Sequence, residues 1–306
     1  MHIISTIIPI FAIIILGWFA RRKGFIQPEF LGPANRLVYH LAIPAMVFRS
    51  IAGASLKAYV NAAVLSITLI CILIIFASSW VAGKIVGARQ GQLGSFIHST
   101  FHGNLGYIGL AVAYYALGNQ GLIRAGIIAG FMMIMQNLLG VIALQFYSDN
   151  SFVNQKKLTV ILKILGNPVI VSAMAGILFS LADIPLPLII NRTLEILGDL
   201  ALPMALLIIG ASLSFEMMRK RMRYVLSSGF MKLILLPGLG LVLFKLFGVP
   251  TPDYLPGHIL LASPTATITY VMAKEMNGDP DFATAAISTS TMLSAITFSV
   301  WLNFAG

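Results

Sequence analysis

Gly103, Asn104 and Gly106 interrupt an otherwise apolar run, residues 95–118, SFIHSTFHGNLGYIGLAVAYYALG. The pieces on either side, residues 95–101 and 108–117, read as helices. Each is too short to cross a hydrocarbon core of ~30 Å, which takes about 20 helical residues. Unpaired backbone at membrane depth is tolerated only inside protein or along a wet cavity, so the interruption marks an interior site. The half-helix that starts near Tyr107 aims free N–H groups and a positive dipole end at the break, which suits an anion. The Asn104 amide is of the right type to bond a carboxylate oxygen, or to act purely as a structural cap. Gly103 and Gly106 permit close backbone approach. His98 and His102 share one helix face, but HSTFH lacks the glutamate of a zinc-protease motif. That leaves His102, at the border of the break, to carry a proton or assist an anion.

A second interrupted run lies at residues 257–274, GHILLASPTATITYVMAK. Pro264 removes a helical hydrogen bond there, with Thr265, Thr267 and Thr269 around it. Thr265, Ala266 and Thr267 would form the opposing half-site, the alternative being ordinary helix-to-helix bonding by threonine. Gln136 and Asn137 sit mid-run in an apolar stretch, where amides must be satisfied. They either face the site or pin helices together. Lys232 either attracts a substrate anion or snorkels to the surface. Asp199, with Glu195 one turn earlier, is an ionisable group inside a run, or sits at the outer interface near Arg192. His40 is a further, weaker proton carrier. Ser288, Thr289, Ser290 and Thr291 read as packing, and Pro44 and Pro203 as kinks that shape a cavity wall.

The elements that must hold these residues are membrane helices. Of the 306 residues, 58% are hydrophobic and 10% charged, far from soluble-domain usage. Ten apolar runs are expected, at residues 3–20, 35–52, 58–86, 92–117 (broken), 122–146, 168–181, 188–213, 224–247, 257–276 (broken) and 282–304. Residues 158–165 read as an interfacial helix or part of the sixth span. The first run lacks a basic start and a clear cleavage site, and Arg21-Arg22-Lys23 follows it, so it reads as a retained span. Alternate loops and flanks divide the 20 basic residues unequally. One set holds Arg21, Arg22, Lys23, Arg36, Lys84, Arg89, Lys156, Lys157, Lys163, Arg219, Lys220, Arg221, Arg223 and Lys274. The other holds only Arg49, Lys57, Arg124, Arg192 and Lys245, with Lys232 inside a run. The rich set belongs in the cytoplasm, which puts both termini outside. The net charge of +10 is thus topological and does not point to nucleic acid. Cys71, the single cysteine, excludes an internal disulfide and a cysteine metal cluster.

The two halves, residues 1–155 and 156–306, look related. Leu41-Ala42-Ile43-Pro44 followed by Gly53-Ala54-Ser55-Leu56 parallels Leu200-Ala201-Leu202-Pro203 followed by Gly210-Ala211-Ser212-Leu213. The broken spans 4 and 9 correspond in order. Five spans per half make the second repeat inverted, and paired interrupted spans point to a transporter's binding site. The expected fold is an all-α polytopic membrane protein with ten transmembrane helices, two inverted five-helix repeats and crossed broken helices in spans 4 and 9.

Pro44, the GN-x-GY-x-G run at residues 103–109, Asn167-Pro168, the Pro203…GASL stretch, Lys232 with Leu236-Pro237, and Ser263-Pro264 occur in an order and spacing that resembles bacterial members of the auxin efflux carrier family. The resemblance covers nearly the whole chain. It implies a fold similar to plant PIN auxin carriers and the bile acid sodium symporter. It also implies a homodimer in the bacterial inner membrane, with a scaffold of spans 1, 2, 6 and 7 and a mobile transport domain of spans 3–5 and 8–10. The implied function is elevator-type secondary transport or uniport of small organic anions such as malonate, malate or auxin-like acids. The alternative is a channel or sensor on the same fold. The long cytoplasmic loop of plant members is here only residues 147–157. Plant carriers have a carboxylate in span 3, where Ala77-Ser78-Ser79-Trp80 has none, and the sodium-binding acid of bile acid symporters is missing from span 9. Sodium coupling is therefore disfavoured, since cation sites want carboxylates or many oxygens. Proton coupling would have to use a histidine. No cofactor or metal is expected. GxSxG, HExxH and a phosphate loop are absent, so neither an intramembrane enzyme nor ATP-driven transport by this chain is expected.

Overall fold

The computed structural model describes residues 3–53, 59, 61–88, 90–147, 166–214, 216 and 221–305. Among these the chain is helical, without strands. Outside them fall residues 54–56 of the first GASL element, the segment 158–165, the loop from residue 148 to 157, the boundary between the two halves, and Lys57, Arg89, Lys156, Lys157, Lys163, Arg219 and Lys220.

The first half opens with α1 (Ile3–Arg22) and α2 (Pro28–Leu37). The helix leading into the second apolar run starts at Pro28, ahead of residue 35, because proline is pre-organised at a helix start and Glu29 follows in the first turn. A π turn (Val38–Ala42) links α2 to α3 (Ile43–Ala52) just before Pro44. The proline lacks an N–H, and the backbone widens by a residue to accommodate it. The same pattern recurs at Pro237, where α10 (Met222–Phe230) passes through a π turn (Met231–Leu235) into α11 (Leu236–Leu246). Before it come α4 (Ala62–Val86), α5 (Gln90–Phe101), α6 (Leu110–Phe146), α7 (Pro168–Leu181), α8 (Leu188–Asp199) and α9 (Ala201–Ala211); α12 (Thr251–Ala262), α13 (Ile268–Glu275) and α14 (Pro280–Ala305) complete the chain. Asn61 caps α4, accepting from the N–H groups of Ala63 and Val64, and left-handed Gly87 ends it.

Among the described residues, five helical stretches are long and apolar enough to cross a membrane: Ala62–Val86, Leu105–Phe146, Leu188–Ala211, Met222–Leu246 and Pro280–Ala305. The second is kinked at Gly118, whose φ of 68° and ψ of −160° interrupt the helix between the expected fourth and fifth runs. Glycine alone takes that conformation without strain.

Packing follows the small residues. α1 lies against α9 with Gly17 and Gly210 in backbone contact with Leu207 and Ile14, a closeness only a missing side chain allows. α3 lies against α7 and α8. α5 is wedged between α4, α6 and α14, and α12 lies against α6 and α11.

Candidate functional site

The two interrupted runs meet at their breaks. α5 ends at Phe101, and the next helix starts with a π turn at Leu105–Gly109. α12 ends at Ala262, where Ser263 is extended because proline follows it. Between them the backbones pair like two short antiparallel strands. The Asn104 N–H donates to the Pro264 carbonyl at 2.7 Å, and the Ala266 N–H donates to the His102 carbonyl at 2.9 Å. The freed peptide groups of one break thus satisfy those of the other.

Each half-helix that ends at the crossing has its last carbonyls capped from a neighbour. Gln136 Nε2 donates to Phe101 O at 3.1 Å, and Thr265 Oγ1 donates to Ser99 O at 3.0 Å. Lys232 Nζ donates to Leu261 O at 2.8 Å. Each half-helix that starts there turns its positive end to a cavity of about 750 Å³. Gly106, Thr267 and Ile268 all line it, while the Tyr107 N–H donates to Asn104 Oδ1, the Thr269 N–H to Ala266 O and the Tyr270 N–H to Thr267 O.

Asn104 stands at the centre. Its Oδ1 accepts from the Tyr107 N–H at 3.3 Å, which fixes the amide's orientation. Its Nδ2 is buried without a hydrogen-bond partner, although the residue lines the cavity. Tyr107 is tied to α2 by its hydroxyl, 2.5 Å from Asn35 Oδ1.

Of the residues singled out in the sequence, the structure brings His102, Gly103, Asn104, Gly106, Tyr107, Asn137, Ala266 and Thr267 together on the cavity wall. Pro264, Thr265, Gln136 and Lys232 sit behind it and hold the crossing. Lys232 does not snorkel; it is fully buried, and helix-end capping replaces a lipid-surface role. Gln136 and Asn137 have separate fates, the first capping α5 and the second facing the cavity while bonding Met133 O. A side chain added at Gly103 would come within 3.1 Å of Leu105 and 3.3 Å of the Lys232 ammonium. At Gly106 the nearest atom would be 3.5 Å away, so that residue is not a point of close approach. The tight place is Gly109, where a Cβ would lie 2.8 Å from Ser263 Oγ and 2.9 Å from Leu260.

Pro44 and Pro203 sit in the first turns of α3 and α9 and do not line this cavity. Pro203 and Asp199 line a second cavity of about 300 Å³. There Glu195 pairs with Arg49 at 2.7 Å, not with Arg192, because α3 packs on α8. His40 is exposed and bonds Arg36 O, away from the site. The sequence reading missed Asn35, Tyr39, Asn167, Ser288 and the cavity role of Arg21 and Arg22. The Asn-Pro pair at residues 167–168 was the one local signal, since Asn167 caps α7. Ser288 and Ser290, read as packing, accept from the N–H groups of Ser214 and Thr265.

The sequence profile of a family described as "Membrane transport protein" matches residues 2–302. The chain belongs to this family. It is the auxin efflux carrier family that the motifs resemble. Over 97% of its length this transport protein is 26% identical to a "Putative malonate transporter" of Rhizobium meliloti (strain 1021), covering 93% of that protein. An "Uncharacterized transporter" of Methanothermobacter thermautotrophicus is 22% identical across 97% of the chain and 96% of its own length. The "Uncharacterized transporter YfdV" of Escherichia coli (strain K12) is 23% identical across 98% and 96%. The transport protein is an integral membrane protein and not an enzyme.

Proposed function

We propose that this protein carries small carboxylates across the membrane as a secondary transporter or uniporter, with malonate the first substrate to test. One observation carries the reading: Asn104, a residue of the cavity wall where two half-helices direct their positive ends, holds a buried Nδ2 donor without a partner. A carboxylate offers acceptors for that donor and for N–H groups at the cavity-lining Gly106, Thr267 and Ile268. The name of the Rhizobium meliloti relative, a "Putative malonate transporter", supports a short dicarboxylate.

The proposed architecture is ten spans in two inverted repeats, in the inner membrane with both termini outside, assembled as a homodimer. Spans 1, 2, 6 and 7 would be the fixed scaffold; the contacts of α1 with α9 and of α3 with α7 and α8 support this. Spans 3–5 and 8–10 would move as an elevator that carries the crossing. The large cavity has Arg21 and Arg22 on its wall, residues of the set assigned to the cytoplasm, which supports an inward-facing state. Asn35 and Tyr39 line that cavity, and Met46 and Arg49, further along the same helical segment, line the second. The second cavity is then the closed outer vestibule.

The test is uptake of labelled malonate by proteoliposomes of the purified protein. Saturable uptake, competed by other short carboxylates, supports the reading. No flux of any carboxylate under any gradient would refute it, and sustained conductance far above carrier turnover would favour a channel.

A further inference from the structure

We infer that His98 and His102 form a single proton site, and that the carboxylate crosses together with one proton held there. The inference rests on the carboxylate reading above. His98 Nε2 and His102 Nδ1 lie 2.7 Å apart, with ring centroids 4.7 Å apart. His98 is fully buried and His102 nearly so. A neutral imidazole has one N–H and one bare nitrogen, so a single hydrogen lies between the rings and its donor fixes both tautomers. When His98 donates, its own Nδ1 is bare and His102 presents Nε2–H. When His102 donates, its Nε2 is bare and free to take a proton. That nitrogen is the one left to the cavity, because Nδ1 is engaged and His102 lines the wall.

A pair serving only to fill space would not need two linked imidazoles. His98 Nδ1 has no hydrogen-bond partner, a polar atom buried at a cost. The ring is nonetheless held tightly: a Cβ at Gly140 would lie 2.9 Å from its Cδ2. The surroundings decide when a proton can stay. Among the described residues no Asp or Glu is buried. From α6 come Gln136 and Gly140, both neutral, and the buried polar side chains of α14, which packs on α5, are all hydroxyls. The nearest basic group is Lys232, whose Nζ would lie 3.3 Å from a Cβ at the neighbouring Gly103. An imidazolium here has no protein counter-charge, and a buried unpaired charge is costly. A carboxylate on Asn104, two residues along, supplies the missing negative charge. Proton and anion thus bind together: water in the cavity delivers H⁺ to His102 Nε2, the charge is shared across the pair, and the proton leaves with the anion on the other side.

The experiment uses proteoliposomes with malonate as the probe and reads two things. Accumulation of labelled malonate against an imposed pH gradient reports proton coupling. Counterflow exchange at equal pH reports the carboxylate site without net proton movement. The wild type is expected to show both. His98→Gln, at a residue that does not line the cavity, is expected to lose pH-driven accumulation by about tenfold or more while keeping counterflow. If that variant fails to fold, His98→Phe retains ring volume against Gly140 and removes the same shared proton. Wild-type counterflow with no response to a pH gradient, or undiminished pH-driven accumulation in the folded variant, would overturn the proton site. Absence of wild-type counterflow would instead overturn the carboxylate reading beneath it.

Discussion

Gln136 and Lys232 serve one purpose at two ends of the crossing. The first donates to the last carbonyl of α5, Phe101 O, at 3.1 Å, and the second to Leu261 O near the end of α12, at 2.8 Å. Both are fully buried, and neither lines the cavity. The negative ends of the half-helices are thereby neutralised behind the site, and the positive ends are left to face it.

Gln136→Leu removes one of these caps without changing volume much. The orphaned carbonyl should cost about 1–3 kcal/mol. The variant is expected to melt at a lower temperature in detergent, a shift that thermal unfolding of the purified protein would register. An unchanged melting point would mean that the Phe101 carbonyl finds another partner.

Gly109 and Gly106 offer a contrast within one turn. Gly109→Val puts a branched side chain where even Cβ would be 2.8 Å from Ser263 Oγ, whereas Gly106→Ala meets nothing nearer than 3.5 Å. Overpacking of this kind costs about 1–3 kcal/mol. Thermal unfolding should therefore separate the two variants, with Gly109→Val destabilised and Gly106→Ala close to wild type. Equal stability would show that the crossing relaxes more easily than its packing implies.

Arg49 and Glu195 join α3 to α8 beside the second cavity, and Asn191 takes the Arg49 Nε at 2.9 Å. The pair is part-exposed, so Glu195→Gln should change stability by no more than ~1 kcal/mol. Its effect should be on access. In a background with Cys71→Ala, Asn119→Cys is expected to react faster with an external, membrane-impermeant maleimide when Glu195 is Gln. Identical labelling rates would remove the pair from any gating role.

Arg21 and Arg22 lie on the wall of the large cavity. Arg22→Gln should raise the half-saturating malonate concentration a few-fold at low salt, with the difference from wild type shrinking at high ionic strength. A salt-independent difference would indicate a structural contact, such as the stacking of Arg22 on Trp18.

Much of this arrangement was legible before the coordinates. Helix breaks at residues 102–104 and 263–266 follow from glycine, asparagine and proline in apolar runs, because local backbone chemistry decides where a helix stops. Asn104 follows from the same logic. Partners chosen by long-range packing were not legible: Glu195 joins Arg49 across 146 positions of sequence, and Lys232 finds a carbonyl 29 residues away. Ser288 and Ser290 carry no local sign that their hydroxyls reach the ends of other segments. Gly106 looked like a point of close approach, but composition cannot say which of three neighbouring glycines another helix will touch.

Malonate binding to Asn104→Asp tests the central claim most directly. Aspartate retains an oxygen to accept the Tyr107 N–H, so the cap survives, while the buried Nδ2 donor becomes a negative oxygen. Isothermal titration of the purified wild type should show saturable malonate binding. Asn104→Asp, folded by the same thermal unfolding criterion, should bind at least about tenfold more weakly, a loss of about 1.4 kcal/mol or more. Equal affinity in the two proteins would take the anion away from Asn104 and contradict the account.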